Sequence, residues 1–194
     1  MLSLSDIITS RVRVKILELF FSNVSDLYHV RGIVREVGEE INAVRRELGR
    51  LENIGLLKKE NRGNRLYYFL RKEYPFFGDL MSMVAKTKGL GAQIIANRAK
   101  IGKLIFVMFS EKFVAGKARK RDDDVDILIV GDVVLPELSR IIRAEETKRG
   151  KEINYTVMSR EELEFRKKRR DPFLASVLSG GRIMIIGDED DLVS

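Results

Sequence analysis

Apolar residues in the first third of the chain recur three times at helical spacing. Residues 10–22, SRVRVKILELFFS, place Val12, Ile16, Leu19 and Phe20 on one face and predict a helix. Residues 26–38, DLYHVRGIVREVG, carry a stripe of Val30, Ile33, Val34 and Val37, with Asp26 as the expected N-cap and Gly38 as the stop. Residues 39–55, EEINAVRRELGRLENIG, repeat Ile41, Val44, Leu48, Leu51 and Ile54. Their acidic start complements the positive end of a helix dipole, and Gly55 suits the end. The pattern then shortens to two strand-like runs, LLKKE and RLYYFLRK, joined by NRGN, a polar turn of hairpin length.

Pro75 marks the next element start. Phe76, Phe77, Leu80, Met81 and Val84 form an apolar face, and Gly89 and Gly91 interrupt before Ile94 and Ile95 continue on a second helix. Beyond residue 100 the apolar runs become nearly continuous, at 102–109, 124–131, 151–158 and 182–187, as in buried strands. Amphipathic stretches at 135–149, 159–169 and 172–179 separate them and read as helices. The tail GDEDDLVS reads as a frayed end. The expected organisation has two domains. Residues 1–74 are mostly α with a β-hairpin, 75–100 are a helical linker or dimerisation segment, and 101–194 form an α/β sheet of about four strands.

Composition narrows the chemistry. The chain has 194 residues, no Cys and one His, which excludes disulfides, thiolate metal sites, Cys nucleophiles and two-histidine sites. A reducing cytoplasm is the expected location, with no leader and no membrane-length apolar run. His29, beside Tyr28, is expected to pack or cap rather than to bind a ligand. The net charge of +7 is unevenly placed: residues 1–100 hold 18 basic and 11 acidic residues, and 101–194 hold 18 of each. A basic half joined to a neutral half fits nucleic-acid binding by the first part.

With Ile41, Val44, Leu48 and Leu51 facing inward, the third helix turns Asn42, Arg45, Arg46, Gly49 and Arg50 outward. Asn and Arg are the side chains suited to the edges of adenine and guanine. Arg62 and Arg65 flank the turn glycine Gly63, within reach of phosphate or a minor groove. The competing reading is a solvated helix with its arginines paired to Glu47 and Glu52. The segment from Glu40 to Lys59, with Arg46, Leu48, Leu51, Gly55, Leu56 and Leu57, resembles the third helix and wing of the ArsR-like transcription regulators. The resemblance covers about residues 8–72 and implies a winged helix-turn-helix that binds double-stranded DNA as a homodimer. The metal-sensing Cys and His clusters of that family are absent here.

The second chemical signal is Asp124-Val125-Asp126 before ILIVG. Carboxylates at i and i+2 of a strand share a face and supply hard oxygen ligands for Mg²⁺. The pattern resembles the metal-binding strand of the polymerase β-like nucleotidyltransferases, especially their minimal form. That resemblance covers about residues 90–190 and implies Mg²⁺, a bound nucleotide and a third carboxylate from a neighbouring strand, for which Glu152 is the candidate. The family's Gly-Ser turn, which holds triphosphate, is replaced here by MFSEKFVAG, with Glu111 and Lys112 where Gly and Ser belong. A lost site is therefore expected, with a basic residue from 117–121, such as Lys117, Arg119 or Arg121, neutralising the aspartates. The implied function is a DNA-binding transcription regulator whose second domain senses a ligand or supports assembly. The alternative is an active Mg²⁺-dependent nucleotidyltransferase using Asp124 and Asp126. Arg166 to Arg170 form a run of five cations, expected as the solvated end of a helix.

Overall fold

A computed structural model describes residues 3–119 and 124–194. Two sheets and eleven α-helices lie in two compact units, one ending at Val84 and the other beginning at Ala85. No helix among the described residues is long and apolar enough to cross a membrane.

The first unit begins with one tight turn at Leu4–Asp6, followed by α1 (Arg11–Ser22), β1 (Tyr28–His29), α2 (Val30–Val37), α3 (Ile41–Asn53), β2 (Leu57–Arg62) and β3 (Arg65–Leu70). The Ser10 hydroxyl caps α1 by accepting from the Arg13 N–H at 3.3 Å. Val14, Ile16, Leu17, Phe20 and Phe21 are its buried residues, whereas Val12 and Leu19 are half-buried. The run VKILELFF holds apolar residues on more than one face, so periodicity predicted the helix but not its full inward face.

α2 starts later than expected because Tyr28 and His29 pair with Tyr68 and Tyr67 as a short antiparallel strand. Asp26 is not the cap. That role falls to His29, whose Nδ1 accepts from the Gly32 N–H at 2.7 Å. Asp26 instead accepts from the Tyr28 hydroxyl at 3.1 Å. Burial, helped by the Asp26 charge, pushes the Tyr28 phenol up to about 12.

α3 buries Val44, Glu47, Leu48 and Leu51. Ile54, expected on the same stripe, lies just past its end and is 58% exposed. β2 and β3 form a hairpin with residues 63–64 as its loop, closed by Arg62 opposite Arg65. Gly63, at φ 59°, takes the first loop position, where positive φ lets the turn follow the strand twist. With β1 the hairpin makes an antiparallel sheet in the order β1-β3-β2.

The expected boundaries at 74 and 100 reduce to one division, within α4 (Phe77–Thr87). The start of α4 belongs to the first unit, where Phe77 packs on Phe21 with ring centroids 5.3 Å apart. Then come α5 (Gly89–Ala96), α6 (Arg98–Ile101), β4 (Gly102–Ser110), α7 (Glu111–Val114), β5 (Ile127–Val133), α8 (Leu135–Arg149) and β6 (Tyr155–Met158). The chain finishes with α9 (Arg160–Lys168), α10 (Pro172–Ser179), β7 (Arg182–Ile186) and α11 (Glu189–Val193).

The second sheet has the order β6-β5-β4-β7, with only β5 and β6 parallel. Residues Phe106–Phe109 and Ile127–Val130 are all buried, because both faces of the two central strands are covered. Phe106, Met108, Leu128 and Val130 pack with Leu163 of α9, Leu174 of α10 and Leu192 of α11. The acidic tail is therefore a helix anchored in the core rather than a frayed end: Leu192 is fully buried. Asp188 caps α11 by accepting from the Asp190 N–H.

Candidate functional site

In the first unit the outward residues of α3 and the hairpin tip gather the basic side chains. Glu40 caps α3 with both carboxylate oxygens, which accept from the Asn42 and Ala43 N–H groups at 2.8 and 2.9 Å. These bonds hold the Glu40 carboxyl below its ordinary value. The cap fixes the first turn, and Val44, Leu48 and Leu51 fix the rotation of the helix. Asn42, Arg45, Arg46 and Arg50 are consequently exposed, and Gly49 is half-buried.

Arg50 is not free on that face. It donates to Glu47 at 2.5 Å, and Glu47 also accepts from Arg13 of α1 at 2.8 Å. Burial pushes the Glu47 carboxyl up, but hydrogen bonds and charge from Arg13 and Arg50 outweigh it and hold the group below its ordinary value. Arg62 pairs with Glu60 along β2. Among the described residues Arg45, Arg46 and Arg65 form no ion pair. Arg62 and Arg65 face each other across the hairpin, and like charges directly opposite destabilise a strand pair. The tip retains that repulsion, offset on one side by Glu60.

In the second unit a cavity of about 460 Å³ contains both aspartates. Its walls come from Ser110 to Lys112 at the start of α7, from Lys117 and Arg119, from 124–126, and from α10 with Gly180 and Gly181. Asp124 and Asp126 precede β5, which starts at Ile127, so they are not within the strand itself. The backbone at Asp126 is nonetheless held on both sides. Its N–H donates to the Asn154 carbonyl at 2.8 Å, and its carbonyl accepts from the Ser110 N–H at 2.8 Å.

The Asp126 carboxylate is buried, accepts from the Asn154 N–H at 3.0 Å and lies 3.8 Å from Arg119 Nε. Asp124 accepts from Lys112 Nζ at 3.0 Å, and its carbonyl accepts from the Asn154 side-chain amide at 3.0 Å. Asn154, uncharged in this site, thus ties both aspartates in place.

Glu152 does not complete a carboxylate triad. It lies before β6, its side chain is exposed, and its backbone carbonyl accepts from Arg119 at 3.3 Å. Among the described residues no three acidic or histidine side chains are grouped to hold a metal ion. The donor set does not fit Mg²⁺, because Lys112 and Arg119 occupy the places beside the two carboxylates where a hard cation needs open oxygens. Of the expected neutralising residues Arg119 faces Asp126, while Arg121 lies outside the described residues. Lys112, visible in the sequence only as a departure from the Gly-Ser turn, supplies the other cation.

The segment that stands where the Gly-Ser turn was expected is otherwise engaged as well. The Ser110 hydroxyl caps α7 by accepting from the Phe113 N–H at 3.2 Å, and the Glu111 N–H donates to the Gly181 carbonyl at 2.8 Å. The arrangement can hold a small polar ligand against Lys112, Lys117 and Arg119, and one oxygen of each aspartate is already engaged by the protein. No family model, curated protein or solved structure matches this chain.

Proposed function

We propose that this chain is a DNA-binding transcription regulator. Its first unit is read as a winged helix-turn-helix, in which α2 and α3 form the motif and the β2–β3 hairpin the wing. Its second unit is read as a nucleotidyltransferase-like α/β domain that senses a ligand or supports assembly without transferring a nucleotide. The observation that carries the reading is the row of exposed Asn42, Arg45 and Arg46 on α3, together with the like-charged Arg62 and Arg65 at the hairpin tip. Arg45, Arg46 and Arg65 form no ion pair among the described residues, Arg45 and Arg46 feeling the Glu40 charge only at longer range, and a phosphate backbone supplies a direct partner.

A homodimer on a two-fold symmetric operator fits the same reading. An apolar groove in the first unit, lined by Leu17, Leu51, Ile54, Phe76, Leu80 and Met83, supports it, since Ile54 and Phe76 remain more than half exposed. The paired state of both aspartates counts against the alternative of an active Mg²⁺-dependent transferase.

The test is selection from a random duplex library, followed by anisotropy on the enriched site. Arg46→Ala should lose about 1–3 kcal/mol at one base position, whereas Arg62→Ala should weaken all duplexes alike and lower the salt slope by about one. Absence of duplex affinity at low salt would sink the reading.

A further inference from the structure

The end of α9 and the start of α10 carry cations and rings that duplex recognition by the first unit does not use, although Phe173 also lines the cavity of the second unit. The inner faces of both helices are occupied, with Leu163 and Leu174 fully or almost fully buried in the core. Two phenylalanines of the same helices remain outside. Phe165 is 55% exposed and Phe173 is 39% exposed. Each has a guanidinium over its ring: Arg169 Cζ lies 4.5 Å from the Phe165 centroid, and Arg166 Cζ lies 5.8 Å from that of Phe173.

The five consecutive cations divide by their partners. Arg166 pairs with Glu162 and Asp171, and Lys167 reaches Glu164 and the Asp191 carbonyl. Lys168, Arg169 and Arg170 are exposed and form no ion pair among the described residues.

Arg170 adds a second, independent observation. α9 ends with the Asp171 N–H on the Arg166 carbonyl and the Arg170 N–H on the Lys167 carbonyl, the paired bonds that close a helix through one left-handed residue. α3 ends through the same pair of bonds with Gly55 in the left-handed place, at φ 81°. In α9 that place is taken by Arg170 at φ 52°, the only non-glycine residue of positive φ among the described residues. An L-residue is disfavoured there, so the chain places a cation where local conformation favours glycine.

We propose that this surface binds single-stranded nucleic acid, with Lys168 and Arg170 on the phosphates and the Phe165–Arg169 and Phe173–Arg166 stacks under the bases. Flat aromatic and guanidinium groups accept any base by stacking, and a strand presents its bases and phosphates together only when unpaired. A duplex hides its base faces and has no use for the two rings. This function is separate from duplex recognition by α3 and does not depend on it.

The test uses the full chain and two short fluorescent oligoadenylates, one RNA and one DNA, beside a duplex of mixed sequence. Arg170→Gly is the key variant, because glycine takes the left-handed place without strain and the fold is kept, as a melting curve would verify. Arg170→Gly should lower oligoadenylate affinity and reduce its salt slope by about 0.7, one phosphate contact on a single strand. Phe165→Ala should lower that affinity by about tenfold through lost stacking. Neither should change duplex binding, while Arg46→Ala should weaken the duplex and spare the oligoadenylates. A tighter complex with RNA or with DNA identifies the strand preferred.

The proposal is overturned if the wild type binds neither oligoadenylate, or if both variants bind as tightly as it does. It is also overturned if only the charge variant has an effect, since that marks a surface for any polyanion. Binding to vesicles of anionic phospholipid where oligoadenylates fail would assign the surface to a membrane and overturn it too.

Discussion

Glu47→Gln tests how the first unit orients α3. The Glu47 side chain is 7% exposed and its carboxylate joins two helices, accepting from Arg13 of α1 at 2.8 Å and from Arg50 of α3 at 2.5 Å. Glutamine keeps the shape and one acceptor oxygen but removes the charge. Breaking a buried ion pair costs about 3–5 kcal/mol when the partner is left charged and buried. Here neither partner is so stranded, because the Arg13 and Arg50 side chains are 35% and 63% exposed and water can solvate them. The expected loss is therefore smaller, about 1–2 kcal/mol, close to that of a single hydrogen bond to a charged group. In a unit of this size each kcal/mol shifts the melting midpoint by roughly 4–8 °C.

The pH dependence makes the test specific. Glu47 titrates below its ordinary value of 4.5 in the folded state, so its contribution is complete above that value and is lost as pH falls through the folded pKa. The gap between wild type and Glu47→Gln should be full at neutral pH and shrink once the pH drops below about 4.5. Hydrogen exchange followed by mass spectrometry would place the loss in α1 and α3. A variant as stable as the wild type at neutral pH would refute the reasoning, and so would a gap that persists at the acid end.

Three further substitutions address the second unit. Gly91→Ala would set a Cβ 2.0 Å from the Ala85 carbonyl oxygen, a backbone atom that cannot step aside, so it should destabilise by about 1–3 kcal/mol or more in denaturant titration. An unchanged midpoint would show that α4 and α5 do not approach as closely as described. Asp126→Ala removes the acceptor of the Asn154 N–H and should cost about 1–3 kcal/mol, whereas Asp124→Ala, whose Lys112 partner is 43% exposed, should cost about 1 kcal/mol or less. Equal losses that appear only with Mg²⁺ present would instead identify a metal pair.

Elements whose pattern is local were legible in the sequence. The helix at 135–149 and the helix at 172–179 need only a periodic stripe and a start or stop residue, and both ends coincide with α8 and α10. The four apolar runs of the second half became β4 to β7, and the two central strands, β4 and β5, are buried on both faces and leave few polar residues in their interior. The misses share a different cause. Asp26 has the chemistry of a cap, but pairing of Tyr28 and His29 with a strand some forty residues later moved the helix start past it. The tail looked frayed because its charges are sequential, while its anchor is the single residue Leu192.

The candidate sites divide along the same line. Exposure of Asn42, Arg45 and Arg46 follows from helix rotation, which the inward Val44, Leu48 and Leu51 define. Whether each exposed arginine is free for a partner does not follow, since Glu47 reaches Arg50 along the helix and Arg13 from another element. The aspartates follow the same line: Arg119, one of the residues expected to neutralise them, faces Asp126, whereas Lys112, beside Asp124, was not expected. Two carboxylates two residues apart form a metal ligand set only if no protein cation comes first. Lys112 comes from twelve residues before its partner Asp124, and Arg119, which faces Asp126, from a segment whose pattern predicts no element. Charge pairing across the fold thus decides which ionic groups are scaffold and which remain to meet a ligand. By that criterion Arg45, Arg46 and Arg65, which form no ion pair among the described residues, and the left-handed Arg170 are stronger functional candidates than the paired aspartates.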